Sequence, residues 1–177
     1  MGRRVVLIRG INVGGKARLP MAELRGLLAE MGFEGARTLL QTGNVVLEDA
    51  RPPAELEAVF EAALERRFDF RPEVMVRSEE EWTALIATNP FPEEAEREPN
   101  RLLAVVLKAS PDPERVEVLK SAATVMERVE VIGRTAFVFY PQGVGVSRLS
   151  LEGKLKVRGT GRNWNTVLKL SEMLSGA

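Results

Sequence analysis

The sequence predicts an α+β chain, a duplicated ferredoxin-like arrangement (βαββαβ followed by βαββα) with two antiparallel sheets carrying helices. Three observations predict it. Two fully apolar strand-length runs, residues 5–8 (VVLI) and 102–107 (LLAVVL), each precede a helix-spaced stripe. Two tight hairpin signals, Thr42-Gly43 and Gly133-Arg134, stand at equivalent points behind them. An acidic, proline-bearing stretch, NPFPEEAEREPN at 89–100, lies between the two sets. The order strand, helix, hairpin, helix, strand is the split βαβ motif. The implied domains are an N-terminal half over 1–77, a helix with an acidic Pro-rich linker over 78–100, and a C-terminal half over 101–177.

Taken in order, residues 4–8 read as a strand whose unbroken Val5, Val6, Leu7 and Ile8 imply burial on both faces. A helix follows from Pro20, with Leu24, Leu27, Leu28 and Met31 at helical spacing until Gly32 stops it. Residues 36–41 and 44–48 form the hairpin. Pro52 and Pro53 open a second helix with the stripe Leu56, Val59, Phe60, Ala63 and Leu64, and a strand over 73–77 closes the unit. After a short helix carrying Trp82, Leu85 and Ile86, the pattern restarts with a strand over 101–107, a helix over 113–123, and a hairpin of 129–132 with 135–140. The final helix spans 163–174, and the last strand of this half is missing or supplied elsewhere. Residues 141–161 are long for a loop, so they are functional, mobile or partly a strand around 144–151.

Composition removes several chemistries. A chain of 177 residues that is 45% hydrophobic and 28% charged is globular and long enough for one full core or two small ones. It has no cysteine and no histidine. Thiolate nucleophiles, Ser-His-Asp machinery and His- or Cys-ligated metals are therefore excluded, and acid-base work falls to Asp, Glu, Lys or Tyr140. No run suits a membrane helix or signal peptide, so the expected location is the cytoplasm with no membrane partner. Few amides and abundant Arg and Glu also suit a thermophilic source.

The net charge is zero but unevenly placed. Residues 1–25 hold Arg3, Arg4, Arg9, Lys16, Arg18 and Arg25 against Glu23, and residues 148–169 hold Arg148, Lys154, Lys156, Arg158, Arg162 and Lys169 against Glu152. A neutral total can thus hide a positive face that attracts phosphate. Topology gives that face a place. A right-handed crossover makes the first two strands parallel, so the loop after strand one shares a rim with the hairpin tip. This rim sets Asn12, Gly14, Gly15 and Lys16 beside Gln41, Thr42, Gly43 and Asn44, above a helix N-terminus whose dipole favours an anion. The equivalent rim of the second half, residues 108–112 with Gly133 and Arg134, has less of this character. Near the C-terminus, Asn163 is placed as a helix N-cap with Arg162 directly before it, a cation that the helix dipole opposes unless an anion joins it. For both corners to share one pocket, the halves must be related head to tail.

Residues 9–16 (RGINVGGK) with Leu19, Pro20, Met21 and Glu23, then QTGNVV at 41–46 and TGRNWNTV at 160–167, resemble the bacterial family catalogued as domain of unknown function 1697. The resemblance runs over nearly the whole chain. It implies a two-part ferredoxin-like architecture and attaches no reaction to it. Gly161 stands where a Thr or another small polar residue is expected, so no side-chain role is implied there.

Plainer readings compete at each motif. Residues 10–17, GINVGGKA, fall one residue short of the phosphate-binding G-x-x-x-x-G-K-[ST] loop, because Ala17 replaces the magnesium-binding hydroxyl. Pro20 moreover starts the helix several residues past the lysine. Thr42, Gly43 and Asn44 are first a hairpin turn. Trp164, Val167 and Leu168 have core spacing. An RNA-recognition module shares the βαββαβ order, yet neither first strand carries an aromatic, and Phe137 and Phe139 read as core. Two function classes remain open. One is a protein that binds a phosphorylated ligand, nucleotide or nucleic acid backbone, through Arg9, Asn12, Gly14, Gly15, Lys16, Gln41, Asn44, Arg162 and Asn163, with no cofactor. The other is a metal-assisted phosphotransferase or hydrolase, for which Glu48, Asp49 and Glu152 are the nearest carboxylates. A third possibility is a structural interaction protein.

Overall fold

Strand β1 (Gly2–Ile8) is the axis of the first of two units into which the computed structural model divides, residues 1–83 with the C-terminal residues from Leu170 on. The second unit is Ala84–Lys169, and the structure describes residues 1–15 and 17–176. Val5, Val6, Leu7 and Ile8 are all completely buried. Such a strand must be internal to its sheet with both faces covered. Accordingly β1 runs between β3 (Asn44–Asp49) and β4 (Val74–Ser78), antiparallel to both, and β2 (Arg37–Leu39) extends the sheet to the order β2-β3-β1-β4. Val6, Ile8, Val45, Leu47, Val74 and Val76 meet α1 (Met21–Glu30) through Leu24, Leu27 and Leu28, and α2 (Pro53–Arg67) through Leu56, Phe60, Ala63 and Leu64. The alternate residues Val5, Leu7, Val46 and Met75 are buried as well.

The outer edge of β4 is blunted by α2. The backbone N–H of Val74 donates to Glu61 Oε1 at 3.1 Å and that of Val76 to Glu57 Oε1 at 2.9 Å. Two glutamates one helical turn apart thus occupy donors that an edge strand would otherwise offer to another chain.

The second unit repeats the plan. Its central strand β5 (Leu102–Leu107) pairs with β7 (Thr135–Phe139), β6 (Arg128–Ile132) lies beyond β7, and the order is β6-β7-β5-β8. Helices α5 (Pro113–Ala122) and α6 (Leu151–Leu155) contribute Leu119 and Leu155 to its core. Val105, Leu107, Leu119, Val129, Ala136, Val138, Tyr140 and Leu155 form one core cluster. Phe137 and Phe139 are buried, as expected of core residues. Trp164, which opens α7 (Trp164–Leu174), lies with its ring 6.5 Å from that of Phe137.

Three features differ from the sequence pattern. The strand expected to be missing or supplied elsewhere is present in this unit as β8 (Gly159–Asn163), antiparallel to β5. GTGRN lacks apolar alternation because its first position must be side-chain-free: a Cβ at Gly159 would lie 2.9 Å from both Leu107 Cδ2 and Val105 Cγ1. The linker at 89–100 is ordered, with α3 (Glu79–Ala87) before it, α4 (Pro92–Arg97) inside it and a 3-10 turn at Pro99–Arg101. Pro92 and Pro99 act there as helix openers, not as breakers. Arg128 also pairs with Glu94 and sits 5.0 Å over the Phe91 ring. Finally, no strand forms around 144–151. A 3-10 turn at Val144–Val146 leads into α6, and the Ser147 hydroxyl donates to the buried carboxylate of Glu127. No helix among the described residues is long and apolar enough to cross a membrane.

Candidate functional site

The loop leaving β1 and the tip of the β2–β3 hairpin do meet. Ile8 N–H donates to Gly43 O at 2.8 Å, and Asn12 Nδ2 donates to Gln41 O at 2.7 Å. Gly43 permits this approach for two reasons. Its φ is +82°, and a Cβ there would stand 2.9 Å from Ile8 Cβ and from Ile11 Cδ1.

The carboxamide of Asn12 is the staple of the loop. Its Nδ2 also donates to Leu19 O at 2.8 Å, its Oδ1 accepts the Leu19 N–H at 2.8 Å, and its own N–H donates to Ala17 O at 3.1 Å. Asn44 does the same for the hairpin. Fully buried, it donates from Nδ2 to Leu39 O at 2.9 Å and to Thr42 Oγ1 at 3.0 Å. Both amides fix the loops that the sequence assigned to a ligand. Gly14 and Gly15, by contrast, are exposed, with successive φ of +62° and +75° in the region that favours glycine. Gln41 is exposed, with its carbonyl on the Asn12 carboxamide. Arg9 is half-buried, with its N–H on Glu73 O, and Lys16 lies outside the described residues.

Between these loops and α1 lies a hollow of about 620 Å³, lined by Asn12, Arg18, Leu19, Pro20, Met21 and Gln41. Pro20 is the N-cap of α1 and no side chain caps the helix there; the first intrahelical bond runs from Leu24 N–H to Pro20 O at 3.0 Å. The N–H groups of the first turn are therefore the orphan donors of this helix, and they carry the positive end of its dipole. Arg18 is exposed at the hollow and makes no ion pair among the described residues. Glu23 is the acid of that first turn. Arg18 was visible in the sequence as one of the N-terminal cations, but its place on the rim depends on the turn from residue 12 to residue 19 that Asn12 imposes.

Arg162 and Asn163 belong to the second unit. Asn163 Oδ1 accepts the Thr166 N–H at 3.0 Å and so caps α7 as its position suggested. Arg162 is buried on β8, where Nη1 donates to Thr160 Oγ1 at 2.7 Å and to Gly161 O at 2.8 Å. Burial lowers its pKa to about 10, which leaves it cationic at neutral pH. The carboxylates considered for metal chemistry have structural partners. Glu48 lies 3.5 Å from Arg3, Asp49 holds Arg51 through both oxygens at 2.8 and 2.6 Å, and Glu152 accepts the Gly159 N–H at 3.1 Å. No group of three or more His, Cys, Asp or Glu among the described residues is placed to hold a metal ion.

A family model described as "Protein of unknown function (DUF1697)" matches residues 1–137. Among solved structures, the chain is similar to the conserved bacterial protein SP0830 from Streptococcus pneumoniae, with 23% identity, a TM-score of 0.77 and 98% of each chain covered. That likeness shows a shared fold over the whole chain. No curated protein matches.

Proposed function

We infer that this chain, which belongs to the DUF1697 family, binds a phosphate-bearing ligand, a nucleotide or a nucleic acid backbone, in the hollow at the head of α1. The observation that carries this reading is the combination in one place of an uncapped helix N-terminus and the exposed guanidinium of Arg18. Orphan N–H groups and the helix dipole favour an anion there, and a guanidinium adds a charge-assisted fork. At about 620 Å³ the hollow is in the size range of small-molecule sites. Gln41 adds a polar neighbour in the lining, and Lys16 is a further cation two residues before Arg18 in the sequence. Asn12 and Asn44 serve the site indirectly by holding its two loops, so little ordering cost attends binding.

Calorimetric titration with a nucleoside monophosphate and with a short single-stranded oligonucleotide, at two salt concentrations, tests the reading. Binding is expected to be saturable and weaker at high salt, more steeply for the oligonucleotide if several phosphates are contacted. The double variant Lys16→Ala, Arg18→Ala is expected to lose about tenfold or more in affinity, the equivalent of about 1.4 kcal/mol. Unchanged affinity in that variant, or no binding of either probe by the parent, would overturn it.

A further inference from the structure

The second unit has a hollow of its own, of about 520 Å³, walled by the turn that follows α5 and by the segment that leads into α6. One carboxylate ties the two walls together. Glu127 accepts the Thr124 N–H at 2.9 Å and the Thr124 hydroxyl at 3.1 Å on the first wall, and the Ser147 hydroxyl on the second. Ser147 Oγ in turn accepts the Leu149 N–H at 3.2 Å, and Ser150 Oγ caps α6 by accepting the Gly153 N–H at 3.1 Å. Both walls are therefore fixed by the protein's own hydrogen bonds, and a ligand finds the surface already formed.

We propose that this hollow docks an acidic segment of a partner protein, with an aliphatic side chain of that segment against Met126, Val146 and Leu149 and its carboxylates on Arg148 and Lys154. Local geometry brings the two cations together. The chain is extended at Ser147 and Ser150, where residues two apart share a side, and Lys154 lies one helical turn beyond Ser150. Arg148, Ser150 and Lys154 accordingly line the same hollow. Neither the Arg148 guanidinium nor the Lys154 ammonium has an ion pair or hydrogen bond among the described residues. The acid of the lining, Glu127, is buried and turned to Thr124 and Ser147. Two unpaired cations on one wall select negative charge in the occupant.

The apolar surface selects a chain segment over a small solute. Leu149 packs against the core of the unit, and the half-buried Met126 offers an adaptable thioether. Val146, in the lining, is 53% exposed, and Val125, between the lining residues Thr124 and Met126, is 86% exposed. Aliphatic surface thus continues outward from the hollow, as at protein docking sites. A small anion seated inside would leave these valines in water. A peptide that alternates acidic and aliphatic residues covers them and reaches both cations.

Met126 is the methionine of the second unit, whereas Met1, Met21, Met31, Met75 and Met173 all belong to the first. Methyl-labelled methionine NMR of the whole chain, titrated with a capped hexapeptide of alternating Glu and Leu, is expected to show a saturating shift of Met126 while Met21 stays in place. Three controls should each bind about tenfold more weakly or worse: the peptide with Gln for Glu, the peptide with Ser for Leu, and the acidic peptide on the double variant Arg148→Gln, Lys154→Gln. Both replaced residues are exposed, so the variant keeps the fold. The proposal is overturned if Met126 shows no saturating shift up to about 10 mM peptide, or if any control matches the parent pair. A Met126 signal that changes with protein concentration alone would assign the hollow to a second copy of the chain and overturn it as well. Failure here leaves the phosphate reading untouched, because that site reports through Met21 in the first unit.

Discussion

Replacing Gly43 by alanine attacks the contact that brings the two loops together. Two costs add. At φ +82° an alanine adopts the left-handed region, worth about 1–2 kcal/mol. Its Cβ would also lie 2.9 Å from Ile8 Cβ and Ile11 Cδ1 and 3.0 Å from Ile8 O, inside ordinary contact distance. One of those neighbours is backbone and another is the fully buried Ile8, so the overlap cannot be relieved cheaply, and overpacking of this kind costs about 1–3 kcal/mol. The sum is about 2–5 kcal/mol, or roughly 5–15 °C in the midpoint of thermal unfolding for a chain of this size. Gly32→Ala is the matched control: its φ is +88°, but nothing lies within 4 Å of the added Cβ. It should lose only about 1–2 kcal/mol. Thermal and urea unfolding of both variants separates the terms. If Gly43→Ala is no less stable than Gly32→Ala, the steric account of the hairpin tip is wrong.

Asn12→Ala removes three side-chain hydrogen bonds and strands the Leu19 N–H, so a loss of about 2–3 kcal/mol is expected in urea unfolding; a loss below about 0.5 kcal/mol would mean that water replaces the staple. Tyr140 is the sole tyrosine of the chain, and its burial, with the nearby Glu127 charge adding to the effect, pushes its pKa up to about 12. A raised folded pKa means that stability is fully present below the unfolded value near 10 and is lost as pH rises toward 12. The tyrosinate absorbance should therefore appear about two pH units later in the folded protein than in urea, and coincident titrations would refute the buried placement. Asp49 is held below its ordinary carboxylate value mainly by its hydrogen bond to Arg51, so its contribution is present above the unfolded pKa and is lost as pH falls through the folded one. Asp49→Asn should flatten the acid limb of the stability curve, and an unchanged limb would show that the pair contributes nothing.

Much of the architecture could be read from patterns that physics makes explicit. Four consecutive apolar residues in β1 can only be a covered central strand, and the direction of a right-handed crossover puts the end of that strand beside the hairpin tip. What escaped notice was set by close approach. GTGRN folds as β8 because a glycine lets it lie against Leu107 and Val105, and a missing side chain leaves no periodic signal. The prolines at 92 and 99 open helical turns as readily as they end them. At the candidate site, the amides Asn12 and Asn44 were legible as important, but a carboxamide looks the same in a sequence whether it faces a ligand or a neighbouring carbonyl. Arg18 and Met21 became visible as rim residues only with the path of the loop.

The methyl resonance of Met21 during a titration with adenosine monophosphate is the most direct probe of the hollow at the head of α1. The expected result is a saturating shift of Met21 alone, diminished by added salt and absent when Lys16 and Arg18 are both alanine. A Met21 signal that stays still up to about 10 mM nucleotide, or one that moves equally in the double variant, would contradict phosphate binding at that helix terminus.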